Sequence, residues 1–168
     1  MSRSSIASAF KHPSTASDVF FIPDACHMLK LARNALADMK VFIDGQGRRI
    51  EWNHIVRLNE IQSLEGLKFA NKMSNQHVEF QRHKMNVRIA AQTLSSSVAD
   101  AITFLSSANH PGFADCDGTV TFIRTADRLF DLLNSRSAYG KGFKHPLSLS
   151  SKSCWLPVLS SSIDYLCC

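Results

Sequence analysis

The chain has 168 residues, the length of one ordinary domain, and a chain of that size can bury roughly 70% of its unfolded surface. Its 45% hydrophobic and 20% charged residues exclude a disordered, collagen-like or coiled-coil chain, and the longest purely apolar run, Val19 to Ile22, is far too short to span a bilayer, so no membrane partner is expected. Nineteen basic against fourteen acidic side chains leave a net charge of +5, a mild lean toward nucleic acid or nucleotide.

Val19 to Ile22 predicts a short strand that stops at Pro23, and Asp24 is a natural N-cap for a helix starting at Ala25. Ala25, Leu29, Ala32, Leu36 and Met39 then recur at helical spacing, with His27, Lys30, Arg33 and Asn34 on the side away from the stripe. Residues 41–50 place two short apolar ends around Asp44, Gly45 and Gly47, a small hairpin or loop. Trp52, Ile55, Val56, Asn59 and Leu64 predict a second helix, weakened or ended by Gly66. Residues 68–88 hold five basic side chains against one acid, Glu79, the densest positive stretch of the chain.

The clearest helical pattern runs over 85–107. Val87, Ala91, Leu94, Val98, Ala101 and Leu105 form its stripe, Met85 and Ile102 widen it, and Ser95 to Ser97 lower its propensity slightly. Asn109, His110, Pro111 and Gly112 stop it. Asp115 to Gly118 is turn-like, and Phe122, Ala126, Leu129 and Leu133 predict a further helix ending near Arg136. From Tyr139 onward two glycines, two prolines and seven serines after residue 144 describe a loop that wraps a surface before a last short apolar segment.

Five cysteines, Cys26, Cys116, Cys154, Cys167 and Cys168, contain no CxxC pair. They support neither a disulfide framework nor a zinc finger, and they suit a reduced, intracellular chain. The spacing assigns no role to Cys154, Cys167 or Cys168. The serine-rich first seventeen residues, with Arg3 and Lys11 and no acid, also have the composition of an organelle transit peptide.

Asp24, leaving a strand, is placed as a carboxylate that holds Mg²⁺ or Mn²⁺ would be. Two-metal phosphoryl chemistry needs several converging carboxylates, however, and the plainer reading is a helix cap. Asp127, Asp131 and Asn134 share one helical face, with Arg124 and Arg128 at pairing distance along it. That is either a solvated charge ladder, worth a few tenths of a kcal/mol per pair (~0.3), or a guanine reader. In the second case the Asp131 carboxylate accepts from guanine N1 and N2 while Asn134 adds a donor and an acceptor. The strings DGQG and YGKGFKHP match neither a P-loop nor a dinucleotide fingerprint. Lys84 and Arg88 are candidates for phosphate or ribose, or they merely solvate a helix start. His54, His77 and His83 form no i, i+4 metal pair and read as packing or surface residues; no nucleophile elbow or Cys/His dyad is present.

The run Asp24-Ala-Cys-His-Met-Leu-Lys-Leu-Ala-Arg-Asn34, the later Lys84-Met-Asn-Val-Arg-Ile-Ala-Ala-Gln-Thr-Leu-Ser95, and Leu129-Phe-Asp-Leu-Leu-Asn-Ser-Arg136 followed by Gly140-Lys-Gly-Phe-Lys144 resemble the P-element transposase family, which includes the THAP-domain transposases and their domesticated relatives. The three motifs occur in order, and the resemblance runs from about Phe10 to Leu166. It accounts for Phe10 to Pro13 as domain sequence, against a transit peptide. It implies an RNase H-like catalytic core interrupted by a mostly helical insertion that binds GTP. Asp24 is then the second aspartate of the catalytic triad and its metal ligand, while Phe130, Asp131 and Asn134 read guanine with help from Lys84.

The implied fold class is mainly α, with residues 1–40 a strand-helix remnant of the RNase H-like core and 41–168 the GTP-binding insertion, truncated at its C-terminus. The first catalytic aspartate, the last glutamate and a THAP-type zinc motif are missing. The expectation is therefore a transposase fragment that binds GTP as an assembly cofactor and does not transfer DNA strands alone. Mg²⁺, transposon-end DNA and a second copy or a full-length transposase are its cofactor and partners in the family setting. The location is nuclear by resemblance, otherwise cytoplasmic. The alternative is a domesticated helical module that has lost nucleotide binding and contacts protein or nucleic acid through residues 68–88.

Overall fold

The computed structural model describes residues 9–20, 23–66, 72–135, 139–140 and 142–166. Residues 1–8 of the serine-rich start, the end of the first expected strand at Phe21 and Ile22, and Lys68, Arg136, Lys141, Cys167 and Cys168 lie outside the described residues. The fold is mainly helical, with two small antiparallel hairpins.

The first hairpin pairs β1 (Ala9–Lys11) with β2 (Asp18–Phe20), Ala9 opposite Phe20 and Lys11 opposite Asp18. It stays outside the core, with Phe10 and Phe20 exposed. Asp24 then caps α1 (Ala25–Met39), its carboxylate accepting from the Cys26 and His27 amides, which satisfies two of the donors that open a helix. Leu29 and Leu36 of the expected stripe are buried. Met39, the last helical residue, is exposed, although Leu36 and Ala37 of the same turn are fully buried. Arg33 departs from its expected place on the solvent side and is wholly buried. It lies between Leu29 and Leu36 on the helix surface, and its Nη2 donates to the carbonyl oxygens of His83 at 2.8 Å and Lys84 at 3.4 Å. Asn34 Nδ2 donates to the Lys84 oxygen as well. Burial pulls the Arg33 guanidinium below its usual range.

β3 (Val41–Ile43) and β4 (Arg49–Glu51) form the second hairpin. Its turn is tied by Asp44, which accepts from the Gln46 and Arg48 amides and pairs with Arg48 Nε at 2.7 Å, and by Gly47 at φ +78°. α2 (Trp52–Glu65) buries Trp52, Ile55, Leu58 and Ile61 and ends at Gly66 in the left-handed conformation. Leu64, expected on the apolar side, is exposed.

After the short α3 (Asn75–Val78) and a 3₁₀ turn at Phe80–His83, the single helix expected over 85–107 is two. α4 (Val87–Thr93) and α5 (Ser96–Ser107) are separated at Leu94, whose ψ of +43° is not helical. The break preserves the apolar rhythm, so Leu94, Val98, Ala101 and Leu105 are all buried, whereas Met85 precedes α4 and is exposed. α6 (Asp117–Leu133) lies across α5 and β4. It begins inside the expected turn, and Gly118 lets it touch the sheet: a Cβ there would stand 2.4 Å from the Arg49 carbonyl oxygen. α7 (Lys152–Leu166) packs on α6, a full helix where a short apolar segment was expected. Pro157 sits inside it, at the loss of one backbone bond. No helix among the described residues is long and apolar enough to cross a membrane.

Candidate functional site

The kink between α4 and α5 opens a cleft of about 340 Å³ against the C-terminal half of α6, within the size range of small-ligand sites. Asp127 of α6 makes the kink possible. Its Oδ2 accepts from the Ser96 amide at 3.0 Å and from the Ser96 hydroxyl, so it supplies the carboxylate at the start of α5. The expected charge ladder along α6 does not form, because each member finds a partner on another element. Arg124 pairs with Asp100 of α5 at 2.8 Å, Arg128 lies over the Phe143 ring, and Asp131 meets Lys144 at 3.7 Å.

Phe130 and Asp131 both line the cleft. Phe130 also packs on the core, which fixes its ring. Burial pushes the Asp131 carboxyl above its ordinary value, Lys144 opposes that rise, and Asp127 adds to it. Three cations surround this pair: Lys144 from the 3₁₀ turn at Gly142–Lys144, Lys72, and Arg88 from the first turn of α4. Lys72 and Arg88 have no ion pair among the described residues.

Gln92 completes one wall, and its orientation is set from behind. The Ser74 amide donates to His77 Nδ1 at 3.1 Å, which assigns the ring proton to Nε2. That nitrogen donates to Gln92 Oε1 at 3.1 Å, so the Gln92 amino group is left to serve the cleft.

The other expected site residues fall around this cleft rather than in its lining. Asn134 caps the C-terminus of α6, and its Oδ1 accepts from Cys26 Sγ at 3.6 Å. Lys84 pairs with Asp38 at 3.3 Å and lies over the Phe80 ring. Asp24 has its carboxylate on the start of α1; the Cys26–Asn134 contact brings that end of α1 to the end of α6. Among the described residues no group of three or more His, Cys, Asp or Glu is placed to hold a metal ion. Lys72, Gln92, Ser95, Ser97 and Lys144 were not singled out as ligand-binding residues from the sequence. The serines carried a signal, since Ser at a helix start is a cap, while Lys72 and Lys144 are joined to the site only by folding.

Residues 26–146 match the family described as TNP-like, GTP-binding insertion domain. The chain belongs to that family. Every residue lining the cleft lies within the matched span of the TNP-like domain, whereas Asp24 and α7 lie outside it. The DNA transposase THAP9 of Homo sapiens is 38% identical over 141 residues, which is 82% of this chain and 15% of the human protein. A solved structure described as the Drosophila P element transposase strand transfer complex superposes with a TM-score of 0.79 at 20% identity, covering 95% of this chain and 36% of that one. At that identity the likeness shows the fold. The TNP-like chain thus spans a small part of the human transposase and about a third of the fly one.

Proposed function

We propose that the chain binds GTP in the cleft beside α6, as the nucleotide-binding part of a P-element-like DNA transposase. The observation that carries this reading is the convergence of Phe130, Asp131 and three cations in one cleft of about 340 Å³. The base lies against the Phe130 ring, and the Asp131 carboxylate accepts from guanine N1 and N2. Lys72 and Arg88 take the phosphates, while Lys144 balances the Asp131 carboxylate. Asn134 holds the end of α6 that carries Asp131, and Lys84, tied to Asp38, contributes positive field from outside the lining.

Adenine is disfavoured because its N1 is an acceptor and would face the carboxylate lone pairs. Asp131 must be ionised to read guanine. Its pKa is raised, so GTP affinity falls as pH drops through that raised value and is full above it.

In this reading GTP is an assembly cofactor, residues 1–40 belong to an RNase H-like core, and residues 41–168 form the insertion. Asp24 would hold Mg²⁺ in the assembled transposase. Asp24 by itself would leave most of the metal shell to water, so strand transfer requires further carboxylates converging beside it in the assembled transposase. Transposon-end DNA, a second copy or a longer transposase, and the nucleus are the corresponding partners and location.

Calorimetry with GTP, ATP and XTP on the wild type and on Asp131→Asn tests the site. Wild type should prefer GTP, and Asp131→Asn should lose on the order of 2–4 kcal/mol toward GTP while gaining relative affinity for XTP. Equal binding of all three nucleotides, or none by a folded chain, transfers the case to an interaction module without nucleotide. Mg²⁺-dependent nicking of DNA that vanishes in Asp24→Asn would overturn the expected lack of strand transfer.

A further inference from the structure

The wall at residues 72–76 has a hollow on each side. Away from the cleft, residues 73–76 and Asn59, Gln62 and Ser63 of α2 are the described residues that line a space of about 420 Å³, but the unpaired Gln62 carboxamide atoms are themselves buried and offer nothing to it. Gln92, on the cleft side, is the contrasting case. It is half-buried and lines the cleft, and its amino group has no partner among the described residues while remaining accessible. Its carboxamide also has a fixed sense. A flipped amide would set the amino group against His77 Nε2, where the Ser74 amide on Nδ1 has placed the ring proton. His77 is 3% exposed and closes the capping box of α3 with Ser74, so its ring is held as well.

We propose that Gln92 reads the O6 carbonyl of guanine and that His77 is the residue that positions it. The inference rests on GTP binding in the cleft as proposed above. On one edge of guanine, N1 and the C2 amino group are donors and O6 is an acceptor. Asp131 takes the two donors and cannot serve O6, because a carboxylate only accepts. Asn134, expected beside it, holds Cys26 Sγ from outside the lining. The two hydroxyls of the lining are engaged, Ser95 donating to the Gln92 backbone oxygen at 2.9 Å and Ser97 to Ser95 at 3.0 Å. Among the described residues, the neutral donor left uncommitted in the lining is the Gln92 amino group. Adenine is then rejected twice, since its N1 lone pair meets Asp131 and its amino group meets that of Gln92, donor against donor.

Calorimetry on the full chain with GTP, ITP and thio-GTP, in which sulfur replaces O6, separates the two contacts. Thio-GTP keeps both donors and loses a strong acceptor, whereas ITP keeps O6 and lacks the C2 amino group. Wild type should bind thio-GTP about three- to tenfold more weakly than GTP. Gln92→Met preserves the length of the side chain without the donor. It should weaken GTP by that same factor and make GTP and thio-GTP equal, while ITP stays weaker than GTP by the wild-type ratio. His77→Phe removes the bond behind Gln92 and should shrink the ratio of GTP to thio-GTP affinity, which a merely structural role would leave unchanged. Without any substitution, the ¹⁵N side-chain amide signals of Gln92 should shift with GTP and shift less with thio-GTP. A thio-GTP deficit that persists in Gln92→Met reports the size of sulfur and overturns the proposal, as do Gln92 signals that stay still with GTP. An unchanged ratio in His77→Phe overturns the positioning role. GTP binding that is lost in Asp131→Asn and untouched in Gln92→Met defeats this inference alone; a folded chain that binds no nucleotide defeats the reading of the cleft and this one with it.

Discussion

The two hollows that share the wall at residues 72–76 are similar in size, about 340 and 420 Å³, and opposite in chemistry. Among the described residues, one is lined by three cations, two carboxylates and an aromatic ring; the other by carboxamides, hydroxyls and one thioether. Side by side, they show that the selectivity of a pocket is set by the groups that folding leaves uncommitted. In the cleft, Asp127 is committed to the start of α5 and Asp131 is balanced by Lys144, so Lys72 and Arg88 remain for an anion. In the neighbouring hollow the unpaired carboxamide of Gln62 is itself buried, so it offers no contact to a ligand.

The largest expected effect removes the support of both. Leu94 is fully buried at the joint between α4 and α5, and Leu94→Ala should cost roughly 2–5 kcal/mol. Urea unfolding measures it, and an unchanged midpoint would mean that the joint is not packed as described.

Next in size, the double change Lys72→Glu and Arg88→Glu should act on the cleft that both residues line. It should weaken GTP by at least about tenfold, or about 1.4 kcal/mol, and flatten the salt dependence of that binding. A lowered urea midpoint in the double variant would show that the wall has collapsed rather than that charge has been lost.

Asp127→Ala is a smaller and more local change. It withdraws the carboxylate from the start of α5 and should cost about 0.5–2 kcal/mol. Amide hydrogen exchange at Ser96 should quicken, with GTP affinity falling as the cleft wall loosens.

The smallest effect touches neither hollow and serves as a control. His54 is buried, stacked on Phe113, and its Nδ1 lies 2.8 Å from Thr119 Oγ1. The Glu51 amide donates to that same hydroxyl oxygen, so the hydroxyl proton is directed at the imidazole, which is held neutral. Burial lowers its pKa, against the pull of Glu51 and a bond to the Ala114 backbone. The unfolded chain therefore takes up the proton more readily. Stability from this group is full above the unfolded value of about 6.5 and declines as pH falls below it. Unfolding midpoints measured from neutral to mildly acid pH should fall, and His54→Gln should flatten that slope.

Much of the fold was legible because it is written in local spacing. The stripe of α1, the Asp24 cap, the hairpin around Asp44 and Gly47, and the Gly66 terminus each arise from neighbours within a few residues. Phe130 and Asp131 were singled out together for the same reason, since they sit side by side on one helix within a recognisable motif, and both line the cleft. The break at Leu94 was harder to see. α4 and α5 keep one apolar rhythm across it, so periodicity reads a continuous helix, and the serines that mark the new start look only like weak helix formers.

The mainly helical class, the family motifs and the caps at Asp24 and Gly66 were set by the order of residues alone, because backbone hydrogen bonding and side-chain period are short-range. The fate of the charges was not, and it took the packed molecule to settle it. Arg33 is buried because carbonyl oxygens fifty residues downstream meet it, and Asp127 caps a helix thirty-one residues upstream rather than joining a surface ladder. Lys72 and Lys144 reach one cleft from distant segments. A charge on a helix face looks solvated until its partners arrive, and partners so far apart in the chain are brought together by packing of the apolar core, whose pattern carries no record of which polar groups will meet.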